Sequence, residues 1–395
     1  MFKTFFRSDG RKGRTTLFLL MLLSMLAAPF SASQAQDTSD YPSMAGKTAL
    51  VTGSTDGLGR EVALRLGALG AHVIVHGRSV ERGTEVVEQI NAGPGSAEFM
   101  QADFGRLANV RTLAEQVQAN HDQLHLLINN AGIGSGFAGG ERTLSEDGYE
   151  MIFQVNHLAH YLLTDLLLPT LEASAPARII NVASGAQRPI LFDDVMLSQD
   201  FDPGYAYAQS KLAQILHSNY LAPQLIEHDI TINSLHPATM MDTTLVSQMP
   251  GPARTTVDEG AVAVMNLAAS AALDGVTGGY YSGLDESRSH DQSHDPEALE
   301  RFDELSRTLL ERAPSLAAHE YMSLSGKTVL ITGGTDGMGR EVAQRLGLLG
   351  AHVIVHGRNA ERGAEVVAAI NAGPGSAEFQ QADFANLDNV HEMAE

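Results

Sequence analysis

The chain has 395 residues, 44% of them apolar and 18% charged, enough material for about two globular domains. Its formal charge of −21 repels phosphate backbones and argues against a nucleic-acid partner. With no cysteine anywhere, disulfides, thiolate catalysis and zinc–thiolate centres are excluded.

The N-terminus has the order of an export signal. MFKTFFRSDGRKGR is basic, TTLFLLMLLSMLAAPF is apolar, and SASQAQ offers small residues for a cut after Ala35. Residues 1–35 are therefore expected to direct export, to the periplasm in a bacterium, or to anchor the chain in a membrane. The apolar run falls short of the roughly 20 residues that span a bilayer. Translation starting at Met44 would remove the signal and leave a cytoplasmic protein.

From residue 45 strands and helices alternate. KTALVTG at 47–53 reads as a short strand ending in glycine, REVALRLGALG at 60–70 as a helix, HVIVHG at 72–77 as a second strand and SVERGTEVVEQINA as a second helix. EFMQADF at 98–104 makes a third strand, followed by a helix near 109–120, a strand at 124–132 (LHLLINNAG) and a helix near 149–168. Next come strand RIINVAS at 178–184, a helix from about Tyr205, strand TINSLHP at 231–237, and a last helix and strand reaching GGYYSG at 278–283. This alternation predicts parallel βαβ units and an α/β, doubly wound, Rossmann-like sheet over residues 45–313. The apolar stretch YLLTDLLLPTL at 161–171 is core or dimer interface, and a homo-oligomer is expected.

After a linker at 314–325 the chain repeats itself. Residues 41–115 align with 321–395 without a gap, and 54 of the 75 positions are identical. A period this long marks a tandem domain rather than a solenoid. The second copy, 326–395, has three strands and stops within its third helix, so it predicts a truncated Rossmann half whose first strand has an unpaired edge. The preferred explanation is a fragment of a longer two-domain chain; a tail that docks on the first domain is the rival.

The residues Thr52-Gly53-Ser54-Thr55-Asp56-Gly57-Leu58-Gly59 lie between a strand and a helix. Gly53 permits a tight turn, Gly57 lets a pyrophosphate approach the backbone, and Gly59 lets helix and strand pack closely. Arg78 follows the second strand where an acidic residue would bind the ribose of NAD. A guanidinium there can pair with the 2′-phosphate of NADP, so NADP is the expected cofactor and NAD the weaker fit.

Further on, Tyr207 and Lys211 stand four apart on one helix face, where a fixed ammonium would lower a phenol's pKa. Ser184 ends a strand at the carboxyl edge of the sheet, where ligands bind in open α/β folds. Its hydroxyl can hold a substrate oxygen beside Tyr207. His290 and His294 suggest a solvated turn, His157 and His160 packing or capping, and no metal site is expected.

The G-x-x-x-G-x-G spacing after TG, together with the NNAG at 129–132, resembles the short-chain dehydrogenase/reductase family over roughly residues 45–313, and again in the tail. The segment between Ser184 and Tyr207, with SKLAQIL after it, resembles the retinol-dehydrogenase-like branch. The resemblance implies an oxidoreductase interconverting an alcohol and a carbonyl by hydride transfer, with Tyr207 as general acid–base. It implies that Asn156 anchors a water leading to Lys211, completing a tetrad with Ser184 and Tyr207. It also places Asp103 at the adenine, Asn130, Ala131 and Gly132 beside the ribose, and Pro237 and Thr239 beside the nicotinamide; Ala238 replaces the usual glycine there. The tail keeps Gly333, Gly337, Gly339, Arg358 and Asp383 but no counterpart of the tetrad. A non-catalytic NADP-binding sensor and a sugar-nucleotide epimerase are the alternatives; the intact tetrad argues against the first and the glycine spacing against the second.

Overall fold

A computed structural model describes residues 41–248, 251–312, 324–371, 373 and 375–383. The export-signal segment and most of the expected linker lie outside the described residues. The chain divides into two compact units at Leu310 and Glu311.

In the first unit, β1 (Thr48–Val51), α1 (Gly57–Ala68), β2 (His72–Gly77), α2 (Val80–Asn91), β3 (Ser96–Gln101), α3 (Leu107–Asn120) and β4 (Leu126–Asn129) follow in strict alternation. Then come α4 (Met151–Phe153), a π-helical turn at Gln154–Leu158, α5 (Ala159–Glu172), β5 (Ala177–Val182), α6 (Pro203–Leu225) and β6 (Ile230–His236). The short α7 (Thr244–Ser247), α8 (Val257–Ala269), β7 (Tyr280–Ser282), β8 (Asp285–Glu286) and α9 (Pro296–Arg312) complete the unit. The strands order as β3-β2-β1-β4-β5-β6-β7-β8, parallel except for the final antiparallel pair. This is the Rossmann-like α/β fold. The sheet order reverses between β1 and β4, and such a switch point opens a crevice at the carboxyl ends of the strands.

Strand residues alternate between two buried faces. Ala49, Val51, Val73, Val75, Ile128, Ile180 and Val182 pack with residues of α1, α2 and α8 in one core. Leu50, Ile74, Leu127 and Ile179 point the other way and are also fully buried, which is why the strands read as continuous apolar runs. The stretch at 161–171 serves this core: Tyr161, Leu162, Leu163, Leu167 and Leu171 are all buried. α9 lies over it, with Tyr161 Oη donating to Asp303 at 2.5 Å and His157 Nε2 3.0 Å from Ser306 Oγ. Among the described residues no helix is long and apolar enough to cross a membrane.

Most expected strands are shorter at their carboxyl ends than the sequence pattern suggests. The apolar pattern runs on into residues such as Gly53, Asp103 and Ser184, which leave the ladder to line the crevice. The helix near 149–168 is also not one regular helix, because the π turn at Gln154–Leu158 interrupts it around Asn156.

The second unit holds β9 (Thr328–Ile331), α10 (Gly337–Leu348), β10 (His352–Gly357), α11 (Ala360–Asn371) and β11 (Ser376–Gln381). Its three strands are parallel in the order β11-β10-β9, with the same register between neighbours as β3, β2 and β1. A small core forms around Ala343, Ala351, Val353, Val355, Val366 and Ile370.

Candidate active site

The glycine loop is shaped by backbone that other residues rarely adopt. Gly53 has φ +67° and Gly57 φ +50°. Space enforces the choice too. A Cβ on Gly53 would lie 2.9 Å from Ala131 Cα, and one on Gly59 would lie 2.3 Å from Asn130 Nδ2 and 2.5 Å from Gly53 O. Asp56 caps α1, accepting from Gly57 N at 2.8 Å, and is itself held by Arg82 (3.2 Å) and Thr244 (2.8 Å).

Thr52, a residue the pattern leaves unremarked, ties this loop to the next. Its Oγ1 accepts from the N–H groups of Asn130 (2.8 Å) and Ala131 (2.9 Å), while Asn130 Nδ2 donates to Thr52 O at 2.8 Å. His160 extends the network. Its Nδ1 donates to Asn156 O at 2.9 Å and its Nε2 lies 3.0 Å from Thr52 Oγ1, so one imidazole joins the cofactor loop to the π turn. Burial keeps it neutral, with a pKa lowered to about 3. His76 likewise holds Gly53 N at 3.1 Å through Nδ1 and is lowered by burial to about 4.

One residue of the loop does not face the crevice. Ser54 is fully buried, donating to Val51 O at 2.7 Å and accepting from His76 N at 2.9 Å. It fastens the loop to β2 and is not positioned to touch a dinucleotide. Thr55, Asp56, Gly57, Leu58 and Gly59 do line the cleft.

That cleft has a volume of about 720 Å³ and runs from the glycine loop to the far side of β5. At the end beside β2 stands Arg78, exposed; its carbonyl accepts from Gln101 Nε2 at 2.8 Å, while its guanidinium has no hydrogen bond or ion pair among the described residues. Arg82 and Arg106 line the same region, engaged with Asp56 and Glu146, and Asp103 accepts from Gly105 N at 3.0 Å. Asn130, Ala131 and Gly132 form the middle of the wall, and Pro237 and Thr239 border the other end, where His236 Nε2 lies 2.9 Å from Thr239 Oγ1.

The four tetrad residues converge at that other end. Ser184 sits just past β5; its Oγ accepts from Ala186 N at 3.1 Å, and Tyr280 Oη donates to Ser184 O at 3.0 Å. Tyr280 is a positioning contact that nothing in the linear sequence signals. Tyr207 rises from the start of α6 and lines the cleft together with Ser184.

One expectation changes here. Burial raises the pKa of the Tyr207 phenol, and the neighbouring Ser184 hydroxyl only partly offsets this, so Lys211 does not depress it in this arrangement. The reason is where the ammonium points. Lys211 Nζ lies 5.8 Å from the Tyr207 ring centre and donates to Val182 O at 2.8 Å and to Gln214 Oε1 at 2.9 Å. Its own pKa is lowered to about 7 by burial. The Asn156 amide accepts from Ile133 N (2.9 Å) and donates to Ile133 O (3.0 Å) and Ser210 Oγ (2.9 Å). The side chain clamps the loop after β4, with both Nδ2 hydrogens engaged and one acceptor position of Oδ1 left over. It still closes the same corner, because a Cβ on Gly132 would lie 3.2 Å from Asn156 Oδ1 and 3.6 Å from Lys211 Nζ.

The residues fit a nicotinamide dinucleotide. Added side chains would collide across the glycine cradle, a capped helix N-terminus faces it, a guanidinium waits at one end, and a Ser–Tyr pair stands at the other. His290 and His294 belong to a turn: His290 Nδ1 accepts from Gln292 N and His294 Nε2 lies 2.9 Å from Ser289 Oγ.

A family model described as short chain dehydrogenase matches residues 47–251 and 327–395. Retinol dehydrogenase 14 of Mus musculus is 34% identical over 294 residues, covering 68% of this chain and 86% of that protein. The polyprenol dehydrogenase of Danio rerio is 35% identical over 266 residues, covering 62% and 81%. Among solved structures, Pseudomonas aeruginosa RhlG in its NADP active-site complex has a TM-score of 0.51 at 28% identity, covering 62% of this chain and 96% of that one. An uncharacterized protein of Mycobacterium paratuberculosis has a TM-score of 0.58 at 27% identity, covering 69% and 97%. The chain therefore belongs to the short-chain dehydrogenase family, in its retinol-dehydrogenase-like branch, whose chemistry is NAD(P)-dependent interconversion of alcohol and carbonyl groups.

Proposed function

We propose that the chain is an NADP-dependent oxidoreductase of a lipophilic alcohol–carbonyl pair, with Tyr207 as its acid–base. The observation that carries this reading is one cleft lined by the Arg78 side chain, whose guanidinium has no partner among the described residues, at one end and by Ser184 and Tyr207 at the other. The glycine loop and Arg78 would hold the dinucleotide, which would supply the hydride chemistry for an alcohol–carbonyl pair. Ser184 Oγ holds the substrate oxygen. The Tyr207 hydroxyl gives its proton to that oxygen in reduction and takes one back in oxidation. Lys211, with its pKa near 7, is poised to return a proton to this corner, and Asn156 keeps the wall at Ile133 in place.

The Arg78 guanidinium supports NADP over NAD, because it suits a 2′-phosphate and an acidic residue would suit free ribose hydroxyls. Ile133, Phe137, Met240, Leu245 and Val246 line the cleft and favour an apolar substrate. The names of the relatives, which cite retinol and polyprenol, point in the same direction. The tail carries the phosphate half of the motif without the tetrad, and in this reading it is a partial repeat with no chemistry of its own.

Calorimetric titration of the purified chain with NADPH and NADH tests the proposal without requiring a substrate. Tight NADPH binding at one site per chain, with NADH much weaker, is the expected result. A folded sample that binds neither refutes it.

A further inference from the structure

We infer that the first unit carries a divalent-metal site of zinc type, built from His72, Glu98 and His121 at the edge of the sheet. These three residues come from the start of β2, from the edge strand β3 and from the position that ends α3. Their donor atoms lie within 4.8 Å of one another. None of them lines the cleft, so the cluster is separate from the dehydrogenase chemistry.

The donor set and spacing suit the ion. Two imidazoles and a carboxylate leave one position of a tetrahedron open, the pattern of zinc sites that keep a water or outside ligand. Tetrahedral bonds of about 2.0–2.1 Å put ligand atoms about 3.3 Å apart. His72 Nε2 stands 3.3 Å from Glu98 Oε1, and His121 Nε2 stands 2.5 Å from the same oxygen, so a small opening of the second pair admits a metal. The two imidazole rings face each other at 5.2 Å between centres. His121 Nε2 is buried and makes no well-aligned hydrogen bond; its contact with the Glu98 oxygen is one that an ion between the two would replace.

The surroundings orient the ligands as metal sites require. Ser96 Oγ holds His72 Nδ1 at 2.8 Å, which leaves Nε2 aimed at Glu98. His72 and Ser96 are direct cross-strand partners, and Glu98 is two residues on, so the pleat puts it on the same face. His121 follows the last turn of a 14-residue helix, whose negative dipole end favours a cation. The ion would staple the edge strand β3 to the end of α3, which no covalent link does in this cysteine-free chain.

The tail contains an internal contrast. His352, Ser376 and Glu378 repeat the first two ligands and the supporting serine, with His352 Nε2 4.0 Å from Glu378 Oε1, yet among the described residues no third donor joins them. One site per chain is therefore expected.

Titration of the full chain with Co²⁺, read by its visible d–d absorption, tests the inference. We expect one Co²⁺ per chain with tetrahedral intensity, displaced by an equivalent of Zn²⁺. His121→Asn and Glu98→Gln should abolish the signal, and Ser96→Ala should weaken binding about tenfold. NADPH titration of each variant should match the parent, which also shows that the variants are folded. An undiminished signal in both ligand variants, or no tetrahedral signal in the parent at modest metal excess, overturns the site.

Discussion

Residues 52–60 and 332–340 share seven of nine amino acids and nearly the same backbone, yet their surroundings differ. Gly53 and Gly333 have φ of +67° and +68°, Gly57 and Gly337 both have +50°, and Asp56 and Asp336 cap their helices in the same way. In the first unit a Cβ on Gly53 would strike Ala131 and one on Gly57 would touch Thr243; on Gly333 or Gly337 it would meet nothing within 4 Å. β1 is buried along nearly its whole length, whereas Leu330 of β9 is 49% exposed. The loop conformation is thus written locally in both copies. Its conversion into a site depends on β4 and the segments after it, which supply the opposing wall.

Four measurements would break or sharpen this contrast. The largest effect concerns acid. His76, His157, His160 and His217 are buried in the first unit, and burial lowers each pKa: to about 4 for His76 and His217, to about 3 for His160, and well below the usual value for His157. The folded state refuses protons that the unfolded chain accepts below about 6.5, so stability is full above that pH and declines as the pH falls toward 4. Four such groups give a slope of up to about 5 kcal/mol per pH unit. Urea midpoints measured from pH 7 to pH 5 should drop steeply, and a flat profile would show that the imidazoles are solvated or charged when folded.

Turnover comes next. Tyr207→Phe should lower it by at least about 10²–10⁴-fold while NADPH still binds, because only the proton donor is lost. Unchanged turnover would remove Tyr207 from the chemistry and leave the first unit no better equipped than the tail.

Packing gives a paired test. Leu50→Ala empties a fully buried position and should cost about 2–5 kcal/mol. Its counterpart Leu330→Ala removes a half-exposed side chain and should cost well under that, about 0.5 kcal/mol. Equal losses in thermal or urea unfolding would mean that the sheet face carrying Leu330 is covered in solution.

The smallest effect separates the arginines. Arg78→Gln should weaken NADPH by about 1.5–3 kcal/mol through a lost charge-assisted contact and leave NADH almost unchanged. Arg358→Gln should do neither. A comparable loss from Arg358→Gln would identify the second loop as a working site.

Much of this molecule could be read without coordinates. Strand–helix alternation, glycine positions and Arg78 follow from local rules: φ angles open to glycine alone, burial of apolar runs on both faces, and the end of one strand. The i, i+4 relation correctly puts Tyr207 and Lys211 on one helix face, since helix geometry is local. What it cannot tell is which partner the ammonium prefers. Val182 O and Gln214 Oε1 reach Lys211 first, and only the packing of α6 on β5 brings them there.

The same limit explains the other differences. Asn156 interrupts its helix and spends its amide on Ile133, Ser54 faces inward, and Thr52, His160 and Tyr280 brace the site across 78 to 108 residues of chain. The metal-ligand cluster at His72, Glu98 and His121 is equally invisible in one dimension, because a strand, its neighbour and a helix end must be folded together before the donors meet. Sequence alone determined the fold class, the conformation of the glycine loop and which side chains to look for in the cleft, since each rests on short-range geometry. Tertiary structure decided their partners, protonation and direction, because those depend on which distant groups are desolvated together.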